Sequence, residues 1–184
     1  MSTLENGREI TFGEAVKEAL IEEMHRDSHV FIIGEDVAEA GTVFKVLTGL
    51  LDEFGPDRVI DSPISEAGIT GIGVGAAVTG MRPVVDIMFG DFTTLAMDQM
   101  VNQAAKTHYM SGGKLRVPMV IRTTMGAGRR SAAQHSQSLH AWYSHIPGLK
   151  VAIPSTPYDA KGLMKTAIRE DNPVVIVEDK MMYS

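Results

Sequence analysis

Glu66 is a single carboxylate that stands directly before a long apolar segment. The residues that follow it, from Ala67 to Gly80, are almost all Gly, Ala, Val, Ile and Thr. A carboxylate in this position can occupy the first turn of a helix, where the helix dipole favours a negative charge. It can also act on a bound ligand as a group that takes up or shares a proton. Position alone favours the structural role and leaves the chemical one open.

His135 is the second residue whose type suits proton exchange. It lies in Gln134–Gln137, within a small-and-polar stretch over residues 124–138 that is long for a loop in a compact domain. Loops of this length are usually functional or mobile, and a loop histidine can exchange protons near neutral pH. Taken alone, His135 is also typical of an ordinary surface residue. His145 is predicted to be a structural residue at a helix end, and no spacing of His and acidic residues predicts a transition-metal site.

The glycines after Glu66 formally match a dinucleotide-binding fingerprint. Gly71, Gly73 and Ala76 have the required spacing, and Asp91 is a candidate ribose ligand. The fingerprint requires a strand that runs straight into the first glycine. Here the nearest predicted strand ends near Ile60, well before Gly71, so a dinucleotide site is disfavoured. The segment instead predicts a buried helix, apolar on every side, whose small residues allow another backbone or a partner subunit to approach closely.

The overall composition is that of a globular chain and excludes several classes of function. The chain has 184 residues, 44% of them hydrophobic, a net charge of -6 and no cysteine. Disulfides, thiolate metal sites and cysteine nucleophiles are therefore excluded. The acidic balance, with no basic run longer than Arg129–Arg130, argues against nucleic acid or an anionic membrane as a partner. Residues 1–11 lack the apolar core of a signal peptide, and the longest apolar run, near Gly68–Gly80, is too short and glycine-rich to span a bilayer. We therefore expect a cytoplasmic protein.

Helical and strand patterns alternate along the chain. Thr11–Glu14 forms a capping box before an amphipathic helix, and further helices are predicted near residues 66–79, 92–109 and 157–170. Short apolar strands separated by helices indicate an α/β fold, a three-layer domain whose mostly parallel sheet is covered by helices on both faces. The six predicted strands are His29–Ile33, Arg58–Ile60, Pro83–Ile87, Pro118–Ile121, Leu149–Ile153 and Pro173–Val177.

Several segments together resemble a known family, in the same order and over essentially the whole chain. The chain is similar to the β subunit of the thiamine-diphosphate-dependent decarboxylase component of 2-oxo acid and acetoin dehydrogenase complexes. In that family this region is the pyrimidine-binding domain of the transketolase superfamily. The segments that carry the resemblance are Gly34–Val37, Asp61–Gly68, Gly80–Pro83, Asp98–Lys106, Gln134–Gln137 and Pro154–Leu163.

The resemblance implies a role for each candidate residue. Glu66 would hydrogen-bond to the pyrimidine ring of thiamine diphosphate, and the cofactor's amino group would then take the proton from the thiazolium carbon. Burial favours a protonated carboxyl and a helix start favours a carboxylate, so a glutamate there can share a proton. Phe92 would pack on the aminopyrimidine with Met88 nearby. His135 would handle the acyl intermediate or the incoming lipoyl group.

The resemblance also implies a monovalent cation, K⁺ by family analogy, bound through backbone carbonyls. Since backbone ligation leaves no side-chain signature, the carbonyls are assigned only by alignment. They are those of Met119, Ala167, Ile168, Glu170 and Asn172.

Two departures from the family pattern shape what is expected of this chain. The Gly-Asp-Gly motif of the Mg²⁺ and diphosphate site is absent, so an α subunit would carry that site and this chain alone would be inactive. The family's C-terminal domain is also absent, so residues 1–184 are expected to form the pyrimidine-binding domain only. The expected partners are the α subunit, a second β subunit and a lipoyl acyltransferase core.

Several functions remain open at this stage. The main expectation is an αβ oxidoreductase acting on pyruvate, a branched-chain 2-oxo acid or acetoin. The segments Gly126–Arg130 and Ser155–Tyr158 slightly favour acetoin or branched-chain substrates. The alternatives are one half of a split transketolase-like enzyme with a separate diphosphate-binding chain, and a non-catalytic assembly protein that has kept the fold.

Overall fold

Six parallel strands form one sheet in the computed structural model, which describes residues 8–183. The strand order is β2-β1-β3-β4-β6-β5, and every neighbouring pair is parallel. All six predicted strands are confirmed, with ends that differ by a few residues. The strands are β1 (Val30–Gly34), β2 (Val59–Asp61), β3 (Arg82–Ile87), β4 (Val120–Met125), β5 (Lys150–Ala152) and β6 (Val174–Asp179).

Helices cover both faces of this sheet, which confirms the predicted three-layer α/β fold. Two separate hydrophobic clusters result, one on each face. Helices α1 and α6 pack together over one face, and α3 packs on β3 on the other. The α-helices are α1 (Phe12–Arg26), α2 (Leu50–Phe54), α3 (Glu66–Val78), α4 (Ala105–Met110), α5 (His140–Ser144) and α6 (Pro157–Arg169). None of the helices within residues 8–183 combines the length and the apolar character needed to cross a membrane.

The capping box predicted for α1 is present. The Thr11 hydroxyl accepts a hydrogen bond from the Glu14 backbone N–H at 3.2 Å, and the Glu14 carboxylate accepts one from the Thr11 backbone N–H at 2.8 Å. These two bonds satisfy backbone donors that a helix start leaves unpaired. Glu23 links α1 to α6. It is fully buried, and its carboxylate accepts a hydrogen bond from Nε of Arg169 at 3.1 Å. Burial works against ionisation of Glu23, but the bonds from Arg169 and Arg26 outweigh it and lower the pKa of this carboxyl.

The helical stretch predicted over residues 92–109 is confirmed, but it is not one regular helix. The chain there forms a 3₁₀ helix at Gly90–Ala96, a π-helix at Gln99–Ala104 and then α4. All three kinds of helix put apolar residues on one side. They differ in the number of residues per turn, and the spacing of apolar residues over so short a stretch does not distinguish these numbers. The segment therefore turns through a tighter and then a wider helix before it becomes regular.

Helix α3 is only half buried, which corrects the prediction of a helix buried on every side. Gly73 faces the sheet so closely that a Cβ there would lie 2.5 Å from Cγ2 of Val85. On the opposite side Gly68 and Gly75 are exposed, and Ile72 is 55% exposed to solvent. The predicted close approach therefore exists toward the sheet, while the other face of α3 lies at the surface of this chain.

A buried ion cluster joins the central strands on the α1 face. Arg122 of β4 lies between Asp86 of β3 and Glu178 of β6, all less than 5% exposed, and donates from Nε to Glu178 at 2.9 Å. Burial raises the pKa of Glu178 although Arg122 opposes this. Burial alone would lower the pKa of Arg122, but its two carboxylate partners raise it. The Tyr183 hydroxyl also binds both Arg122 and Glu178, and so ties the end of the described chain to the sheet.

Candidate functional site

The candidate residues gather at one edge of the sheet. Because all six strands are parallel, their carboxyl ends lie on the same side, where ligands of open α/β sheets bind. Glu35 directly follows β1, Glu66 begins the helix after β2, and Phe92 lies in the 3₁₀ helix after β3. His135 lies in the segment after β4, and Lys180 directly follows β6. The topology thus brings together residues that are up to 145 positions apart.

Glu66 lies at the first position of α3 and is 7% exposed. Ser65 precedes the helix but its side chain makes no capping hydrogen bond. The carboxylate is therefore the acidic group of this helix start, where the dipole favours a negative charge. Both sequence-based readings of Glu66 are compatible with this position, because the residue is at a helix start and is also shielded from water.

Glu35 is the neighbour that sequence reasoning missed. It is 9% exposed, and within residues 8–183 its Oε1 atom is buried without a hydrogen-bond donor. Burial raises the pKa of Glu35, and the nearby charge of Glu66 raises it further, while a hydrogen bond from the Ser65 backbone opposes the rise. A carboxyl at the end of an apolar strand was the available signal. Only the fold brings it beside Glu66.

Three aromatic rings meet at the same edge. The His135 imidazole lies edge-to-face against Phe89 and Phe92, with ring centroids 4.8 and 5.1 Å apart. Phe89 and Phe92 themselves are 5.8 Å apart in the same arrangement. Edge-to-face packing of this kind is favourable and directional. The structure therefore brings together His135 and Phe92, which the sequence analysis assigned to one site but could not place in contact.

Two buried hydroxyl groups stabilise the turn that carries Phe92. The Thr93 hydroxyl lies 2.7 Å from the Tyr143 hydroxyl and donates to the Gly90 carbonyl at 2.6 Å. Gly90 must be glycine, since a Cβ there would lie 2.7 Å from the Thr124 carbonyl oxygen. Burial raises the pKa of Tyr143, which keeps its hydroxyl proton available as a donor. Phe92 therefore lies on a turn that these contacts hold in one conformation.

The segment around His135 is held by two charged residues. Asp91 accepts hydrogen bonds from the backbone N–H of Gln137 at 3.2 Å and from its side-chain amide at 2.9 Å. The Lys180 ammonium donates to the backbone carbonyl of His135 and lies 5.2 Å from the centre of the Phe89 ring. Neither Asp91 nor Lys180 was assigned this function from the sequence.

The remaining predicted ligands are less clearly assembled. Met88 is half-buried at the end of β3, and its carbonyl accepts a hydrogen bond from Thr124 at 2.6 Å. Of the five carbonyls predicted to bind a cation, those of Ile168 and Glu170 accept hydrogen bonds from the Arg82 guanidinium at 2.9 and 3.1 Å. Those of Met119 and Ala167 accept bonds from the backbone N–H groups of Val174 and Glu170. The cation site stays a prediction.

Two other sequence-based interpretations are decided by the structure. The dinucleotide reading fails, because Gly71 lies inside α3 rather than at a strand-to-helix turn, and Asp91 is engaged by Gln137. His145 is the residue that ends α5, as predicted. Among residues 8–183 there is no cluster of three His, Cys, Asp or Glu side chains that could hold a metal ion.

Comparison with known proteins bears on the family and the fold of this chain. The model of the family described as "Transketolase, pyrimidine binding domain" matches residues 8–184. Among solved structures, a protein titled "Split gene transketolase, inactive beta4 tetramer" superposes with a TM-score of 0.74, covering 94% of this chain and 52% of the other. Its sequence identity is 20%, so this likeness shows the fold alone.

Relatives with much higher identity include pyruvate dehydrogenase E1 component β subunits. The protein from Rickettsia conorii is 56% identical over 175 residues, and the match covers 95% of this chain and 54% of the relative. The protein from Rhizobium meliloti is 54% identical, with 95% and 38% covered. The mitochondrial protein from Bos taurus is 50% identical, with 95% and 49% covered. The chain thus spans about half the length of the curated relatives it matches, or less.

Proposed function

This chain belongs to the transketolase pyrimidine-binding domain family, and on that premise we propose that it forms the pyrimidine-binding part of the β subunit of a thiamine-diphosphate-dependent pyruvate dehydrogenase. The relatives at 50–56% identity support pyruvate as the substrate. These relatives favour pyruvate over acetoin or branched-chain substrates, which the segments Gly126–Arg130 and Ser155–Tyr158 had slightly favoured. The same identity favours a dehydrogenase subunit over half of a split transketolase.

The buried position of Glu66 beside Glu35 carries this proposal. A glutamate that only stabilised a helix start would be expected to face water. Here the carboxyl is 7% exposed and lies near a second carboxyl that has a buried oxygen without a donor within the described residues. Burial and the nearby charge of Glu66 raise the pKa of Glu35, as is common for carboxyl groups at functional sites. The pair is therefore suited to proton exchange with a bound ring.

The residues present fit the pyrimidine part of thiamine diphosphate. Glu35 and Glu66 offer carboxyl oxygens that can hold a proton against a ring nitrogen, and Phe92 is a half-buried aromatic ring on a rigid turn. When bound, the cofactor supplies a thiazolium carbon that adds to the keto group of a 2-oxo acid and permits loss of carbon dioxide. Glu66 would bind the pyrimidine ring, Phe92 would pack on it, and Met88 would lie nearby.

Within this site the two carboxyls would do different work. The raised pKa of Glu35 means that it keeps its proton to a higher pH than an ordinary glutamate. A raised pKa at Glu35 limits the repulsion between two carboxyl groups in a water-poor place. Glu66 is then free to share a proton with the ring nitrogen of the cofactor. Glu35 would thus act on the ring only through its electrostatic interaction with Glu66, and it would not need to contact the ring.

His135 would act at the other end of the reaction. It packs against Phe92, the ring that would hold the pyrimidine, and a histidine at this place can give or take a proton. We assign it to transfer of the acyl group to lipoamide.

The remaining groups would come from partners. An α subunit would hold the diphosphate and Mg²⁺, a second β subunit would complete the assembly, and a lipoyl acyltransferase core would receive the acyl group. A K⁺ ion bound by the carbonyls named above remains part of the proposal.

The test is reconstitution of the full-length β subunit with its α partner. Glu66→Gln keeps the size of the side chain but removes its exchangeable proton, and should lower thiamine-diphosphate-dependent turnover of pyruvate by about 100-fold or more. The matched control is Glu53→Gln, a change at an exposed helical glutamate that pairs with His25, and it should leave turnover near the wild-type value. Survival of turnover within a few-fold in Glu66→Gln would refute the assignment.

A further inference from the structure

The segment that carries His135 leaves the sheet between two strands that could hold it. It follows β4, and the neighbours of β4 are β3 on one side and β6 on the other. Asp91 lies four residues beyond the end of β3, and Lys180 directly follows β6. The two charged residues therefore reach the segment from opposite sides.

The backbone of this segment is strained just before His135. Arg130 and Ala132 have φ angles of 55° and 63°, in the left-handed region that residues with a Cβ seldom adopt. Such conformations persist when the surrounding structure holds them, and they are common at functional sites. Released from its contacts, the segment would be expected to relax to other conformations and carry His135 with it.

Lys180 provides the contact on the β6 side. Its side chain is 1% exposed, yet within the described residues its ammonium forms no ion pair, and its hydrogen bond goes to the His135 carbonyl. Burial lowers the pKa of Lys180, while the charges of Asp91 and Asp179 act in the opposite direction. Burying a cation against one carbonyl is costly for a protein. A leucine or methionine would fill the same space at less cost, so stability alone does not account for a lysine here.

Asp91 provides the contact on the β3 side. It is 5% exposed, and one oxygen accepts both the backbone and the side-chain hydrogen bonds of Gln137. Its neighbour in sequence is Phe92, the ring against which His135 packs. The aspartate thus ties the far side of the histidine segment to the same turn that carries the aromatic ring.

We propose that Lys180 and Asp91 are positioning residues, which clamp the chain at the His135 carbonyl and at Gln137 and so set the His135 imidazole against Phe92. This inference deepens the proposed function and rests on it, because it is acyl transfer by His135 that the clamp would serve. Neither residue is assigned a contact with substrate. Each acts through the histidine.

The test uses the assembled enzyme with full-length β subunit, α partner and thiamine diphosphate. Lys180→Met removes the ammonium and keeps an apolar side chain of similar length. Gln137→Ala removes the side-chain amide bond to Asp91 and leaves only the longer backbone bond; the change is on the exposed loop side, so it does not threaten the core. The control is Lys165→Met, which removes a lysine that binds Glu22 on the surface of α6. Two readouts report on the clamp, one structural and one chemical.

The structural readout is trypsin cleavage after Arg129 or Arg130, which are exposed, located by mass spectrometry. The chemical readout compares acyl transfer to lipoamide with pyruvate decarboxylation measured with ferricyanide as electron acceptor. Both test variants should be cut faster than wild type and lose about tenfold or more in acyl transfer. Ferricyanide-coupled decarboxylation and the Kd for thiamine diphosphate should change only a few-fold, and Lys165→Met should match wild type.

Three results would overturn or separate the inferences. Unchanged cleavage and unchanged acyl transfer in both test variants would overturn the clamp. A fall in acyl transfer that only follows weaker cofactor binding would also overturn it, because that is the mark of a general structural role. If cleavage accelerates while His135→Ala itself leaves acyl transfer intact, the clamp stands as a structural device and the proposed function of His135 fails.

Discussion

Glu35 and Glu66 lie together at the carboxyl edge of the sheet, and the charge of Glu66 adds to burial in raising the pKa of Glu35. The two residues come from different strand ends, one after β1 and the other after β2. Strands β1 and β2 are direct neighbours, with Gly34 paired to Asp61. This pairing of strands is what places one carboxyl beside the other, and it has consequences for stability as well as for chemistry.

The raised pKa of Glu35 predicts that its contribution to the free energy of unfolding depends on pH. A carboxyl whose pKa is higher in the folded state than in the unfolded state favours folding at low pH, and this contribution is lost as pH rises through the folded-state pKa. Glu35→Gln, which has no charge to lose, should therefore become more stable than wild type as pH rises above about 4.5, the ordinary value for this group. Urea midpoints of the full-length cofactor-free β subunit between acid and neutral pH would measure this.

The exposed Glu39 provides the control for that series. Glu39→Gln should follow the wild-type pH dependence. A constant difference between Glu35→Gln and wild type across the pH range would contradict the raised pKa.

Two glycines of α3 should respond in opposite ways to the same change. Gly73→Ala would place a Cβ 2.5 Å from Val85 and 3.2 Å from Met119, and overpacking of this kind costs about 1–3 kcal/mol. Gly75→Ala meets no atom within 4 Å in the described chain and should stabilise the helix by about 0.5–1 kcal/mol. Free energies of unfolding of the isolated full-length β subunit test both, and equal tolerance of the two changes would contradict the close packing of α3 on the sheet.

The buried ion cluster should be far more sensitive than a surface pair. Arg122→Met leaves Asp86 and Glu178 buried without their cation, a change that costs about 3–5 kcal/mol. Arg116→Met removes one of the two arginine partners of Asp171, the exposed one, and leaves Arg82 in place; it should cost about 1 kcal/mol or less. Urea denaturation of the two variants gives the comparison. A loss at Arg122 no larger than at Arg116 would mean that the two carboxyls find other partners or take up protons.

Removing the imidazole should separate two steps of the proposed reaction. His135→Ala should reduce acyl transfer to lipoamide by about 100-fold, because it removes the histidine that packs against Phe92. The affinity for thiamine diphosphate should fall much less, since the ring is expected to rest on Phe92 and Glu66. Titration of cofactor binding alongside acyl-transfer rates checks this. Weaker cofactor binding as the main effect would argue against the assigned role.

The sequence by itself determined the elements and the edge at which the site lies. The capping box at Thr11 and Glu14, the six apolar strands and the helix that begins at Glu66 all depend on hydrogen bonds and spacing between residues close in the chain. Such local rules act wherever the segment lies. Strands alternating with helices predict a parallel sheet, and a parallel sheet has a single carboxyl edge.

The tertiary structure alone decided which side chains meet at that edge. Lys180 reaches the carbonyl of His135 across 45 positions of sequence, and the charge on Glu66 acts on Glu35 from the next strand. It also decided that α3 buries only one face and that residues 90–110 form three kinds of helix. Contacts, burial and pKa depend on distances in space that a linear pattern does not contain, because strand order and packing set them only when the whole sheet is assembled.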